Sequence, residues 1–134
     1  MPRREANRRE PSPTRRQRGA AAELLAANYL CAQGAVVLAR NVRSRVGELD
    51  LIVNDGGVLA IVEVRHRQGP RHDFGGALAS VTINKQRRII RAARVQLLRR
   101  PDWRRRVLRF DVVALDGQAN GAQRIAWIKD AFRA

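Results

Sequence analysis

The chain has 134 residues, of which 45% are hydrophobic, so it suits a single globular domain with its own core. Lysine and arginine number 27 against 12 acidic residues, and a formal net charge of +15 attracts polyanions, nucleic acid before an anionic membrane. The single cysteine, Cys31, excludes an internal disulfide and a cysteine-based zinc site, and no apolar run is long enough to cross a membrane.

The positive charge has two interpretations. Lysine occurs only at Lys85 and Lys129, so the excess is almost all arginine, whose planar fork donates two hydrogen bonds to a phosphate. Alternatively, a GC-rich genome encodes arginine in place of lysine, and the arginines are only solvated surface residues. This alternative explains the ratio of arginine to lysine, but it does not explain why basic residues outnumber acidic ones. We therefore expect nucleic acid as the partner, DNA favoured and RNA possible, with no membrane association.

The basic N-terminus lacks the features of a signal peptide, so we expect a cytoplasmic location.

Residues 1–17 are predicted to be a disordered basic tail that precedes one α/β domain at 18–134. The tail holds three prolines and many arginines and has almost nothing to bury, so it cannot offset its ordering entropy. It is either a basic arm that contacts nucleic acid or a frayed terminus without a role.

The domain begins with a predicted helix at 18–33, which Gly34 ends. Its apolar stripe at helical spacing is Ala20, Leu24, Ala27 and Cys31, so we expect a buried thiol at Cys31. Glu23 lies at the margin of that stripe. It is either a surface residue or an acid aimed into a site.

The remaining elements alternate in a way that is typical of α/β domains. Strands are predicted at 35–39, 47–53, 58–65, 107–115 and 124–128, with a loop at 66–79 and a second helix at 81–99. The second helix has Ser80 or Thr82 as its N-cap. The order α-β-β-β-α-β-β predicts a three-layer core, in which helices flank a mixed sheet of about five strands.

The face of the second helix opposite its apolar stripe is predicted to be strongly basic, with Lys85, Arg87, Arg88, Arg91 and Arg94. We predict that nucleic acid contacts Arg43, Arg45, Arg67, Lys85, Arg87, Arg88, Arg91 and Arg94. Trp103, flanked by three arginines, is either a stacking residue or packed beneath its loop.

The turn Asn54-Asp55-Gly56-Gly57 joins two strands and fixes which side chains share a face. With Asp55-Gly56 at its centre, Glu48 faces Glu63 and Asp50 lies diagonal to Glu63, about 7–8 Å away at the backbone. Three carboxylates and Arg65 then project from one face. Clustered carboxylates repel one another, and a divalent cation would relieve that repulsion. The alternative is a solvated sheet edge, on which arginines pair with these acids.

The motifs between residues 19 and 130 resemble those of the bacterial YraN family of uncharacterised proteins. The matching motifs are Gly47-Glu48-Leu49-Asp50-Leu51-Ile52, Val62-Glu63-Val64-Arg65, Ser80-Val81-Thr82 with Lys85-Gln86, Arg109-Phe110-Asp111-Val112-Val113 and Trp127-Ile128-Lys129-Asp130-Ala131-Phe132. The resemblance implies the PD-(D/E)XK endonuclease-like fold of restriction enzymes and Holliday-junction resolvases. That pattern makes Asp50, Glu63 and the Val64 carbonyl the ligands of Mg²⁺ or Mn²⁺, and Glu23 the helical acid.

Arg65 stands where the catalytic lysine of that pattern usually stands. Arginine keeps the charge and can clamp a phosphate, but it does not deprotonate near neutrality. The sequence therefore favours a metal-dependent, structure-directed nuclease with Glu23, Asp50, Glu63 and Arg65 as its catalytic residues, and a homodimer is possible. The alternatives are a non-catalytic nucleic-acid-binding module with the same fold, or a structural partner on a ribosome or repair complex.

Overall fold

The computed structural model describes residues 14–68, 74–117 and 123–134. Its elements are α1 (Arg15–Ala32), β1 (Val36–Ser44), β2 (Gly47–Asp55), β3 (Val58–Gln68), α2 (Phe74–Ala79), α3 (Ile83–Arg99), β4 (Leu108–Gly117) and β5 (Gln123–Phe132). The five strands form one sheet in the order β1-β2-β3-β4-β5. Only β3 and β4 run parallel within it, so the sheet is mixed, as predicted.

The sheet separates two apolar cores. On one face α1 packs through Ala26 and Leu30 against residues such as Val62, which is fully buried. On the other face α3 packs through Ile89 against residues such as Ile61. The predicted three-layer α/β core is therefore confirmed.

Helix α1 begins earlier than the sequence predicted. Thr14 is its N-cap: the Thr14 hydroxyl accepts a hydrogen bond from the Gln17 N–H, and the Gln17 side chain accepts one from the Thr14 N–H. Since this reciprocal pair closes the first turn at Arg15, the predicted boundary at residue 17 falls inside the helix. Residues 1–13 of the predicted tail lie outside the described residues.

The buried face of α1 also differs from the predicted stripe. The side chains against the sheet are Ala22, Ala26, Ala27 and Leu30. Leu24 is 50% exposed and Cys31 is exposed, so the predicted buried thiol is wrong. Small alanines let the helix lie close to the sheet and leave the bulkier residues outside. At 100° per residue, Glu23 falls within the buried face and points towards the sheet.

The β2–β3 hairpin turns at Gly56 and Gly57, one position later than predicted. Both glycines have positive φ, 58° and 94°, which the tight two-residue turn requires. Asp55 therefore pairs with Val58, and Leu51 pairs with Val62. The register differs from the prediction by two residues. A shift of two preserves the faces of the strand but brings Asp50 across from Glu63 instead of diagonal to it.

Other differences lie at the ends of elements. The predicted loop contains the short helix α2, and β1 continues beyond its predicted end at residue 39 to Ser44. Helix α3 begins after its N-cap Thr82, one of the two predicted caps. Trp103 is 6% exposed and belongs to the core under α3, so it packs beneath its loop. None of the helices in the described ranges is long and apolar enough to span a membrane.

Candidate metal centre

The candidate site lies where β2 separates from β3. The last backbone pair of these strands is Leu51 with Val62. Immediately beyond it, Oδ2 of Asp50 accepts a hydrogen bond from the N–H of Val64 at 2.9 Å, so a side chain replaces the missing backbone partner. The N–H and C=O of a strand residue point to the same side. The Val64 carbonyl therefore faces the same opening as the Asp50 carboxylate.

An irregularity in the neighbouring strand accompanies this separation. Asn41 of β1 has a left-handed φ of 48°, and it stands opposite Asp50 between the pairs Arg40–Leu51 and Val42–Leu49. The side-chain alternation of β2 also fails here, because Leu49 packs in the α3 core while Leu51 packs in the α1 core. As a result, the side chains of Asp50 and Asn41 lie near Glu23 of α1 and interact with its carboxyl group.

A cavity of about 410 Å³ opens at this point, and both helical layers contribute to it. Its lining is Gly19, Ala22, Glu23, Asp50, Glu63, Val64, Arg65, His66 and Lys85. The structure thus brings together the four predicted catalytic residues and the predicted backbone ligand. Glu48 is not part of this lining; its carboxylate lies 3.8 Å from Nε of Arg43.

Burial and neighbouring acids raise the pKa values of two carboxyl groups of the cavity, Asp50 and Glu23. Glu63 is only 5% exposed. Burial, followed by the negative charge of Glu63, raises the pKa of Asp50 from 3.8 to about 8, against the opposing hydrogen bond from Val64. Burial is also the largest cause that raises the pKa of Glu23 above its usual value. A cavity of this kind favours either a bound proton or a cation.

Two basic side chains of the lining approach Glu63. Nζ of Lys85 lies 2.9 Å from Oε1 of Glu63, whereas Nη1 of Arg65 is 4.0 Å from the same oxygen. Arg65 is held elsewhere, since its Nη2 donates to the Ser80 carbonyl at 2.7 Å. Lys85 lies on the sheet-facing stripe of α3, one turn before the buried Ile89. Its predicted place on the outer basic face is therefore wrong.

The other predicted nucleic-acid contacts lie on the surface, apart from one that the structure does not describe. The exposed side chains are Arg43, Arg45, Arg87, Arg88, Arg91 and Arg94. The side chain of Arg67 lies outside the described residues. Helix α3 thus presents arginines to solvent and directs Lys85 to the acids.

Sequence reasoning missed the contact of Lys85 with Glu63 and the part played by Asn41. The signal for Lys85 was its helical spacing from apolar residues, because Ile89, Ala92 and Ala93 follow it at i+4, i+7 and i+8. The left-handed conformation of Asn41 has a weaker signal: asparagine is among the few residues that tolerate it.

The donor set of the cavity suits a hard cation. Asp50, Glu63 and the Val64 carbonyl supply oxygen, and Mg²⁺ is usually held by one or two carboxylates with water and substrate phosphates completing its shell. No three side chains of His, Cys, Asp or Glu in the described ranges converge on a single metal position. The candidate protein ligands in the described ranges are the two carboxylates and the Val64 carbonyl.

Comparison with known proteins identifies the family. The model of "Uncharacterised protein family UPF0102" matches residues 22–115, a region that contains Glu23, Asp50, Glu63 and Lys85. The chain belongs to this family. It is the YraN family that the motifs predicted, and the prediction is confirmed.

Relatives of the same family come from several bacteria. A UPF0102 protein of Halorhodospira halophila is 50% identical over 126 residues, which cover 92% of this chain and 95% of the relative. One from Pseudomonas putida strain GB-1 is 46% identical over 121 residues, covering 90% and 95%. One from Legionella pneumophila is 40% identical over 118 residues, covering 88% and 96%. The similarity therefore extends over almost the whole domain.

Proposed function

We propose that the protein is a metal-dependent nuclease that hydrolyses phosphodiester bonds and recognises the structure of its nucleic acid rather than its sequence. The observation that carries this proposal is the meeting of Asp50 and Glu63 in one cavity, where burial and the negative charge of Glu63 raise the pKa of Asp50 to about 8. In a chain with 27 basic and 12 acidic residues, three acidic side chains that line one cavity are notable. Perturbed carboxylates in a cleft are typical of functional sites.

The proposed cofactor is Mg²⁺ or Mn²⁺. The carboxylates of Asp50 and Glu63, together with the Val64 carbonyl, would hold it. Bound there, a divalent cation would polarise a phosphodiester and lower the pKa of an attacking water. The motif resemblance to PD-(D/E)XK endonucleases supports the same ligand set.

A third acid and the cationic side chains of the cavity would have supporting roles. Glu23 interacts with Asp50 and lines the cavity beside it, so it would fix the orientation of Asp50 and position the attacking water or a second cation. A cationic side chain of the lining beside Glu63, Arg65 or Lys85, would stabilise the developing charge of a phosphoryl transition state.

Nucleic acid would reach the cavity along the outer face of α3. Arg87, Arg88, Arg91 and Arg94 are exposed there, and Lys85 lies at the cavity end of the same helix. Arginine contacts to phosphates position a duplex without reading its bases. This supports binding to DNA or RNA that depends on shape and charge, with DNA favoured.

The direct test is cleavage of a panel of branched, nicked and single-stranded DNA and RNA by the full chain. We expect cleavage with Mg²⁺ or Mn²⁺, none with EDTA, and none by the Asp50→Asn variant. The matched control is Glu48→Gln, because Glu48 precedes the site on the same strand but lies outside its cavity; it should cleave like the wild type.

Binding without cleavage across the whole panel would contradict the proposal. The chain would then be a nucleic-acid-binding module that keeps a nuclease-like fold, which is the alternative the sequence left open. The exposed arginines of α3 are compatible with that outcome, whereas the buried acid pair would have no part in it.

A further inference from the structure

We infer that Lys85 of α3 supplies the cationic group at the scissile phosphate, and that Arg65 is a positioning residue. The inference rests on the proposed nuclease function and assigns a residue that the strand motif does not contain. It follows from where the two side chains are held.

The guanidinium of Arg65 is committed to the fold. Nη2 donates to the Ser80 carbonyl at 2.7 Å, and Nη1 lies 4.0 Å from Glu63, beyond hydrogen-bond distance. Nε of Arg65 is buried and has no hydrogen-bond partner among the described residues. Turning the guanidinium towards a substrate would break its bond to Ser80. Arg65 is therefore placed to hold the segment before α3, and it is poorly placed to bind a phosphate.

The ammonium of Lys85 is held at the acids instead. Nζ lies 2.9 Å from Oε1 of Glu63, and Lys85 lines the same cavity as Asp50. An ammonium has three donors, so the contact with Glu63 leaves donors for a phosphate oxygen or for the attacking water. The side chain is 32% exposed, which leaves it accessible from the cavity.

A chain of contacts connects the two basic residues. Arg65 binds the Ser80 carbonyl, and two residues later Thr82 caps α3, its hydroxyl accepting a hydrogen bond from the N–H of Lys85 at 3.2 Å. Gln86 secures the same segment through a bond from its side chain to the Val81 carbonyl at 3.1 Å. Arg65 thus acts on the reaction through the placement of Lys85.

The test uses the Lys85→Ala variant of the full chain with Mn²⁺ and the substrate of the panel that the wild type cleaves best. Loss of one charge-stabilising donor should lower kcat by about 10²- to 10³-fold. Added ethylamine, which carries the missing ammonium, should restore part of that rate in a concentration-dependent way. Lys85→Met, which keeps most of the side-chain length, should lose as much rate as Lys85→Ala.

The matched control is Arg105→Ala, which removes one exposed charge from the segment that follows the C-terminal end of α3. It should keep kcat within a few-fold of the wild type and should not respond to ethylamine. Lys85→Ala and Lys85→Met should still be stabilised against heat by Mn²⁺, since Asp50 and Glu63 remain. That stabilisation shows that the variants are folded and have an intact metal site.

The outcomes separate this inference from the proposed function. If the wild type cleaves and Lys85→Ala cleaves equally well, the inference is wrong. It is also wrong if ethylamine does not restore the rate of Lys85→Ala while guanidinium restores the rate of Arg65→Ala, because Arg65 is then the cation. If the wild type cleaves nothing in the panel, the proposed function fails and this inference fails with it. Rescue of Lys85→Ala, but not of Arg65→Ala, supports the assignment.

Discussion

The Asp50 carboxylate accepts a hydrogen bond from the backbone N–H of Val64 at 2.9 Å, at the point where β2 leaves β3. This contact joins the two strands after their backbone ladder has ended. It also places the Asp50 carboxylate in the same cavity as Glu63, and residues of α1 and α3 line that cavity as well. The chemistry proposed for the protein depends on that relationship.

The first prediction concerns the metal-free protein and pH. The pKa of Asp50 is raised from 3.8 to about 8, so between these values the folded chain holds a proton that the unfolded chain releases. The free energy of unfolding should therefore fall as pH rises from about 4 to about 8, by at most about 1.4 kcal/mol per pH unit. Asn cannot ionise, so Asp50→Asn should lose this slope and be the more stable protein at pH 8. Urea unfolding in EDTA measures both; parallel pH profiles would contradict the prediction.

The second prediction concerns Glu23. Glu23→Gln keeps the size of the side chain but removes the charge that faces Asp50. Removing a residue that orients a metal ligand typically lowers metal affinity or activity by about 10- to 100-fold, and we expect Glu23→Gln to lose Mn²⁺ affinity or kcat in that range. Titration with Mn²⁺ and measurement of kcat check it. Glu48→Gln is the control, since Glu48 contacts Arg43 and lies outside the cavity; equal losses in both variants would show a general charge effect.

The third prediction concerns salt. Binding that neutralises about six phosphates gives a log–log slope of affinity against salt of roughly −5. Replacing Arg88 and Arg91 by Gln should reduce the magnitude of this slope by about 0.9 for each phosphate that the variant no longer neutralises. Arg105→Gln is the control, because Arg105 is exposed and follows the C-terminal end of α3, whereas Lys85 and the cavity lie at its N-terminal end. A slope near zero for the wild type would remove nucleic acid as the partner.

The fourth prediction concerns the N-terminus. A chain that begins at Thr14 keeps the capping box, so it should melt at the wild-type temperature, whereas a chain that begins at residue 18 should melt lower. Thr14→Ala should cost about 1 kcal/mol. The arginines of residues 1–13 should add affinity for nucleic acid without adding stability. A large loss of stability in the Thr14 chain would show that residues 1–13 contribute to the core.

The acid pair shows how far the sequence predicts this fold. The period of two along a strand predicted that Asp50, Glu63 and Arg65 share one face. In the structure all three line one cavity, although the alternation of β2 is interrupted between Leu49 and Leu51. The predicted cross-strand partner of Asp50 was wrong because Gly56 and Gly57, rather than Asp55 and Gly56, take the two positive-φ positions of the turn. The sequence pattern does not give the energies of the competing backbone conformations, so it does not decide which two adjacent residues form the turn.

The helices show where sequence reasoning fails. Helical spacing predicted that Leu24 belongs to the buried stripe of α1, but the small Ala22 and Ala26 pack against the sheet and Leu24 is exposed. Lys85 was grouped with the outer arginines by its charge, although its spacing from Ile89 indicates the inner face. Its contact with Glu63 joins residues of different elements, and only tertiary packing brings them together.

Calorimetric titration of Mn²⁺ into metal-free wild type, Asp50→Asn and Glu48→Gln decides whether the acid pair is a metal centre. We expect wild type and Glu48→Gln to bind the cation with similar heats and Asp50→Asn to bind none, because Asp50 and Glu63 must act together. Identical heats in wild type and Asp50→Asn, or no heat in the wild type, would contradict the metal centre between β2 and β3.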